Sequence, residues 1–194
     1  MMCCRTNNAM ALLAAMQGKY PAYYVTGNHE YWSRQSEEML EILREYGVTV
    51  LAGAWESTTI REQTLHICGA DDPDVDLYMP ARPGFRQQLQ ALQSVCENGN
   101  YTILLSHRPE RFAEYSAFDL VLSGHAHGGQ WRVPGLWNGI FSPGEGFFPQ
   151  YAGGVYQAGS TTMIVSRGLS RESIPLPRLF NRPELVVIDL GAAP

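Results

Sequence analysis

Asp119-Leu120-Val121-Leu122-Ser123-Gly124-His125-Ala126-His127 is an apolar run of strand length that ends on a glycine and two histidines. Short apolar runs bounded by turn residues read as buried β-strands. The same pattern occurs twice more. Tyr101-Thr102-Ile103-Leu104-Leu105 leads into Ser106-His107-Arg108-Pro109, and Ala22-Tyr23-Tyr24-Val25-Thr26 leads into Gly27-Asn28-His29-Glu30. Of the five histidines in 194 residues, four sit in these three runs. Histidine and asparagine just past the ends of several strands converge on one edge of a sheet, where open α/β sheets build their sites. That concentration points to a metal centre.

The rest of the chain supplies the frame. Ala9 to Met16, with Arg5 ahead of it, faintly imitates a signal peptide. It reads better as an amphipathic helix stopped by Gln17-Gly18-Lys19. A helix is predicted over Ser33 to Tyr46, with Met39, Leu40, Leu43 and Tyr46 on one face, Ser33 as N-cap and Gly47 as the stop. Strands are predicted at Val48 to Leu51, around Ile60 and at Leu65 to Cys68, the last two joined by a short polar turn. A second helix runs from Pro83 to Val95, with Phe85, Leu89, Leu92 and Val95 on one side. Gly128 to Gly154 is a long Gly-, Pro- and aromatic-rich loop. A hairpin at Val155–Ala158 and Thr162–Ser166 follows, then a Pro/Arg segment and a final strand at Leu185 to Leu190. With no repeat or linker, one domain over residues 1–194 is expected. Strands outnumber helices, which favours an α/β fold with two mixed β-sheets over a purely parallel one.

Composition narrows the functions. Hydrophobic residues make up 45% and charged residues 17%, enough to bury a core. A formal charge of −5 without a Lys/Arg run argues against nucleic acid as partner. Metal ions would supply positive charge locally for a phosphorylated substrate. Cys3, Cys4, Cys68 and Cys96 form no C-x-x-C pair, so they read as reduced thiols, Cys68 and Cys96 as small buried residues. No apolar stretch reaches the ~18 residues of a bilayer span.

Neutral imidazoles and an Asn amide oxygen suit Zn, Fe, Mn or Ni. Along His125-Ala126-His127 the two rings alternate in direction and need not meet one ion, an arrangement suited to two adjacent metals. Two ions ~3.5–4 Å apart clamp the attacking and leaving oxygens of a phosphoester. His29, next to Asn28, is free to face substrate and protonate the departing oxygen. His66, between Leu65 and Ile67, reads as structural. Asp71, Asp72, Asp74 and Asp76 read as a solvated loop, and Gly27 and Gly124 as turn residues with positive φ.

The ordered set Gly-Asn-His-Glu, Ser-His-x-Pro and Gly-His-x-His-Gly-Gly-Gln resembles the calcineurin-like metallophosphoesterase family. Trp131-Arg132-Val133-Pro134-Gly135, Val165-Ser166-Arg167-Gly168-Leu169 and Arg182-Pro183-Glu184-Leu185-Val186 look like its bacterial branch of membrane-associated phosphodiesterases and lipid-precursor pyrophosphatases. The resemblance runs from about Leu12 to the end. It implies a four-layer α-β-β-α sandwich around two mixed sheets. It makes Asn28, His107 and His125 ligands of one metal, His127 a ligand of the other, and His29 the acid beside the leaving group. Tyr31, Arg108 and Gln130 neighbour these motifs, as substrate contacts or as scaffolding. The implied substrate is a phosphorylated small molecule or a lipid-linked phosphate. The implied location is the cytoplasm or the cytoplasmic face of a membrane.

The family pattern also has an Asp-x-His and a Gly-Asp-x-x-Asp ahead of Gly-Asn-His. The 26 residues before Gly27 hold neither aspartate nor histidine. The expectation is therefore a chain truncated at its N-terminus, lacking the opening β-α-β part and any membrane anchor there. Of the two divalent ions of a complete site (Mn, Fe or Zn), at most one is expected here, with hydrolysis impaired. A non-catalytic scaffold that keeps the fold is the alternative, and a mononuclear zinc hydrolase a third reading. The loop aromatics Trp131, Trp137, Phe141, Phe147 and Phe148 fit either a lipid-facing groove or simple packing.

Overall fold

The computed structural model describes residues 3–142, 145–169 and 177–191. They fall into two compact units, Met1–Ser106 and His107–Pro194. In the first, α1 (Cys3–Met16) ends where the glycine signal stands: Gly18 has φ +70° and the Lys19 amide donates to the Met16 carbonyl at 3.0 Å. Strand β1 (Ala22–Tyr24) pairs in parallel with β2 (Val48–Val50), Ala22 opposite Val48. The chain between them forms α2 (Asn28–Trp32) and α3 (Ser36–Glu45). Leu40, Leu43 and Val48 are the buried centre here, with Leu13, Ala22, Tyr24, Met39 and Val50 packed around them. Gly47, at φ +77°, closes α3 as expected.

The N-cap expected at Ser33 is not one. Ser33 ends α2, its hydroxyl donating to the Glu30 carbonyl at 2.7 Å, and α3 starts three residues later behind Gln35. Arg34 between them is left-handed, at φ +57°, which breaks the helical path.

Strands β3 (Ala54–Ile60) and β4 (Gln63–Gly69) form an antiparallel hairpin. Its two turn residues, Arg61 and Glu62, have φ +49° and +68°, the conformation that suits a two-residue connection between twisted strands. After a short helix α4 (Val75–Tyr78), α5 (Phe85–Cys96) buries Phe85, Gln88, Leu89, Leu92 and Val95. Strand β5 (Tyr101–Leu105) then runs parallel to β4, Leu65 opposite Tyr101.

In the second unit a 3₁₀ turn (Pro109–Tyr115) precedes β6 (Leu120–Ser123). The Gly128–Gly154 loop carries two short strands, β7 (Phe141–Ser142) and β8 (Gly146–Phe147). Then β9 (Gly154–Ala158) and β10 (Thr161–Val165) form the expected hairpin, and β10 also lies parallel to β6, Thr162 opposite Leu120. Thr161, Met163 and Val165 point to one buried face of β10. Parallel and antiparallel pairs thus occur in each unit beside helices, the mixed α/β class expected.

Residues 185–190 form no strand. An apolar extended run becomes one only through ladder partners, and among the described residues none pairs with it. Leu185 and Val187 are 75% and 79% exposed. Residues 170–176 of the expected Pro/Arg segment lie outside the described residues.

Candidate metal centre

Past β1, Thr26, Gly27 and Asn28 are all buried, and Asn28 opens α2. Gly27 caps that helix with φ −114°, an extended value open to any residue, so the positive φ expected there is absent. Glu30 reaches back to accept the Gly27 amide at 2.6 Å, which closes the first turn. This turn separates the two site candidates: Asn28 is 2% exposed, whereas His29 is exposed and packs on the Trp32 ring at 5.2 Å.

Under this turn lies a polar network that the sequence reading took for a solvated loop. Asp71 and Asp72 are buried, against expectation: Thr26 and Gln88 partner the Asp71 carboxylate, and the Asp74 amide donates to Asp72 Oδ1 at 3.0 Å. Thr26 Oγ1 donates to Asp71 Oδ1 at 2.8 Å and accepts the Asp72 amide at 3.0 Å, with the Tyr31 hydroxyl 3.2 Å away. Gln88 Nε2 donates to Asp71 Oδ2 at 3.1 Å, and its Oε1 accepts the Asp71 amide at 2.9 Å. Tyr31 is thereby scaffolding, and burial beside this network pushes its phenol above the ordinary value. Asp74 accepts the Trp32 indole N–H at 2.7 Å.

In the second unit, His107 follows β5 and His125 follows β6. The Gly124 amide donates to the His107 carbonyl at 3.2 Å. Their rings are 5.0 Å apart, with His125 Nδ1 3.2 Å from His107 Nε2. Two imidazole nitrogens each ~2.0–2.1 Å from one zinc-sized ion stand roughly 3.3 Å apart at tetrahedral angles, so this pair fits a shared cation. Arg108 Nη1 lies 3.2 Å from His125 Nε2. A guanidinium only donates, so Nε2 accepts and a neutral His125 ring carries its proton on Nδ1, toward His107. Seating a cation between the rings requires the other tautomer, with the proton on Nε2, and therefore a turn of the Arg108 guanidinium away from that nitrogen.

His127 stands in a different setting. Arg178 Nη2 lies 3.5 Å from its Nδ1, and Asn181 Nδ2 donates to its carbonyl at 2.6 Å. Among the described residues, no group of three or more His, Cys, Asp or Glu is arranged to hold a metal ion. Positive φ falls on the histidines themselves, His125 at +62° and His127 at +50°, and not on Gly124. Left-handed non-glycine residues cost about 1–3 kcal/mol each and gather at functional sites. Gly128 and Gly129 continue the turn at φ +68° and +62°. A Cβ on Gly128 would stand 2.2 Å from Asn181 Oδ1. Gln130, at φ +48°, is fully buried, and its carbonyl accepts Asn181 Nδ2 at 3.2 Å.

His66 is structural as expected. Ser57 Oγ lies 2.9 Å from its Nδ1, and Asn98 and Asn100 lie at 2.8 and 3.0 Å from Nε2. Sequence reasoning missed Arg178 and Asn181, which lie in no histidine motif. Both precede the Arg182-Pro183-Glu184-Leu185-Val186 motif, and Arg178-Leu179-Phe180-Asn181 itself offered only a charge and an amide.

No protein-family model matches the chain. It is 30% identical over 96% of its length to a transmembrane protein with metallophosphoesterase domain from Bos taurus. A metallophosphoesterase from Aquifex aeolicus is 34% identical over 92%, and the metallophosphoesterase YkuE of Bacillus subtilis 28% over 92%. The chain spans 42%, 64% and 59% of those relatives' own lengths, in that order. The similarity to metallophosphoesterases therefore extends over nearly all of this chain, as the motifs led one to expect. Among the described residues, no helix is long and apolar enough to cross a membrane.

Proposed function

We propose that this chain carries the histidine side of a metal-dependent phosphoesterase site, acting on a phosphodiester or pyrophosphate. The observation behind this reading is the His107–His125 pair, two imidazole nitrogens 3.2 Å apart at the ends of successive strands. These two histidines are assigned to one divalent ion and His127 to the neighbourhood of a second, and the motif order alone adds Asn28 to the first ion. Such an ion, when bound, polarises a phosphoryl oxygen and acidifies water. His29, exposed on the first turn of α2, is assigned the proton for the departing oxygen. Arg108 holds the His125 ring through Nε2. All four assigned ligands are neutral, which favours zinc-like ions over Mg²⁺ and predicts weak binding of a single ion. Hydrolysis by these 194 residues alone is accordingly slow. A phosphorylated small molecule or lipid-linked phosphate is the substrate class, and any membrane attachment belongs to the same proposal.

The test is hydrolysis of bis(p-nitrophenyl) phosphate with manganese or zinc. Replacing a ligand is expected to cost at least the 10- to 100-fold seen for outer-shell changes. His125→Ala should therefore fall at least that far below wild type at equal metal. Equal rates in the two proteins would remove the proposal.

A further inference from the structure

In the second unit Arg178 stands beside His127, and Arg132 and Arg167 both stand near Glu184. Arg167 pairs with Glu184, Nη2 to Oε1 at 2.7 Å, and its amide also donates to Glu184 at 3.2 Å. Arg132 and Arg167 both line a pocket of ≈ 460 Å³ with Val133, Trp137, Asn138 and Phe180. Arg178 is the third. Its Nε and Nη1 are buried and have no hydrogen-bond partner, while its Nη2 lies 3.5 Å from His127 Nδ1. Buried guanidinium donors without an acceptor are costly, and a structure keeps them where a ligand supplies the missing oxygens. Glu184 already serves Arg167, so among the described residues the cluster retains an excess of positive charge. Burial and the repulsion of Arg167 both lower the proton affinity of Arg132 and Arg178, the electrostatic counterpart of this shortage of anions.

We propose that Arg178, with Arg132 and Arg167, forms a site for a phosphate-type oxyanion beside His127. A planar guanidinium offers paired N–H donors that match two phosphate oxygens. Arg178 holds two unpartnered donors, Nε and Nη1, on different edges of its guanidinium and away from solvent, while Arg132 and Arg167 bring positive charge to a pocket whose lining includes Phe180, two residues further along. The identity of this anion as a phosphate of the substrate rests on the phosphoesterase reading. The existence of the site does not.

Inorganic phosphate is the probe, titrated by calorimetry into protein stripped of metal on a chelating resin, at fixed ionic strength. Wild type and His125→Ala should bind one phosphate with equal affinity, because the site needs no metal. Arg178→Gln should weaken binding tenfold or more. Arg132→Gln, at the half-exposed edge of the pocket, should weaken it severalfold and serves if the first variant does not fold. Absence of phosphate binding in wild type, or unchanged affinity in both arginine variants, would overturn the site. Binding lost in His125→Ala but kept in the arginine variants would move the anion to the histidine pair and equally refute it. Failure of hydrolysis with phosphate binding intact would count against the phosphoesterase reading alone.

Discussion

His127 is held by its backbone as much as by its ring. Asn181 donates to its carbonyl, and Gly128, at φ +68°, leaves room for the Asn181 side chain. Gly128→Ala meets two penalties: a left-handed alanine at ~1–2 kcal/mol, and a methyl group where Asn181 Oδ1 stands. Residues in direct contact couple, so the second penalty should vanish when Asn181 is shortened. Gly128→Ala is expected to lower stability by about 2 kcal/mol in urea denaturation, and Asn181→Ala to lower it separately. The double variant should cost less than the sum. Strict additivity would show that the two side chains do not compete for one space. The sequence announced His127 by its spacing from His125. It gave no sign that both histidines would take left-handed backbone, which at His127 is accompanied by the Asn181 bond to its carbonyl.

At the scale of elements, β1, α2 and the start of α4 are joined by one hydroxyl. Thr26 Oγ1 has a single proton and two lone pairs, and it donates to Asp71 while accepting from the Asp72 amide. Thr26→Val keeps the shape and removes all of this. Each buried group left unsatisfied costs about 1–3 kcal/mol, so the urea midpoint should fall clearly, by at least that amount in free energy. A change below about 0.5 kcal/mol would mean that water replaces the hydroxyl at no cost. Apolar periodicity made α3, α5 and the β4, β5, β6 and β10 strands readable, since burial of one face fixed their residues. Asp71 and Asp72 read as solvated because four aspartates stand in six residues, whereas the Asp71 carboxylate finds Thr26 and Gln88, 45 and 17 positions away, which makes its burial affordable. Leu185 to Leu190 failed for the opposite reason: its composition suits a strand, yet a strand also needs a neighbour.

For the whole molecule, the three histidine motifs were the legible part, because few residue types hold metals and their order along the chain is informative. The arginine cluster was legible only in pieces: the runs around Arg132 and Arg167 resembled family motifs, but Arg178 stood outside them, and that the three meet is a property of the fold. The most direct measurement is metal content per chain by elemental analysis, after dialysis against micromolar zinc or manganese, for wild type and for His107→Ala and His125→Ala. Wild type should retain one ion, weakly, and each single-histidine variant none. Two tightly held ions in wild type, or one ion kept by both variants, would contradict a cation shared between His107 and His125.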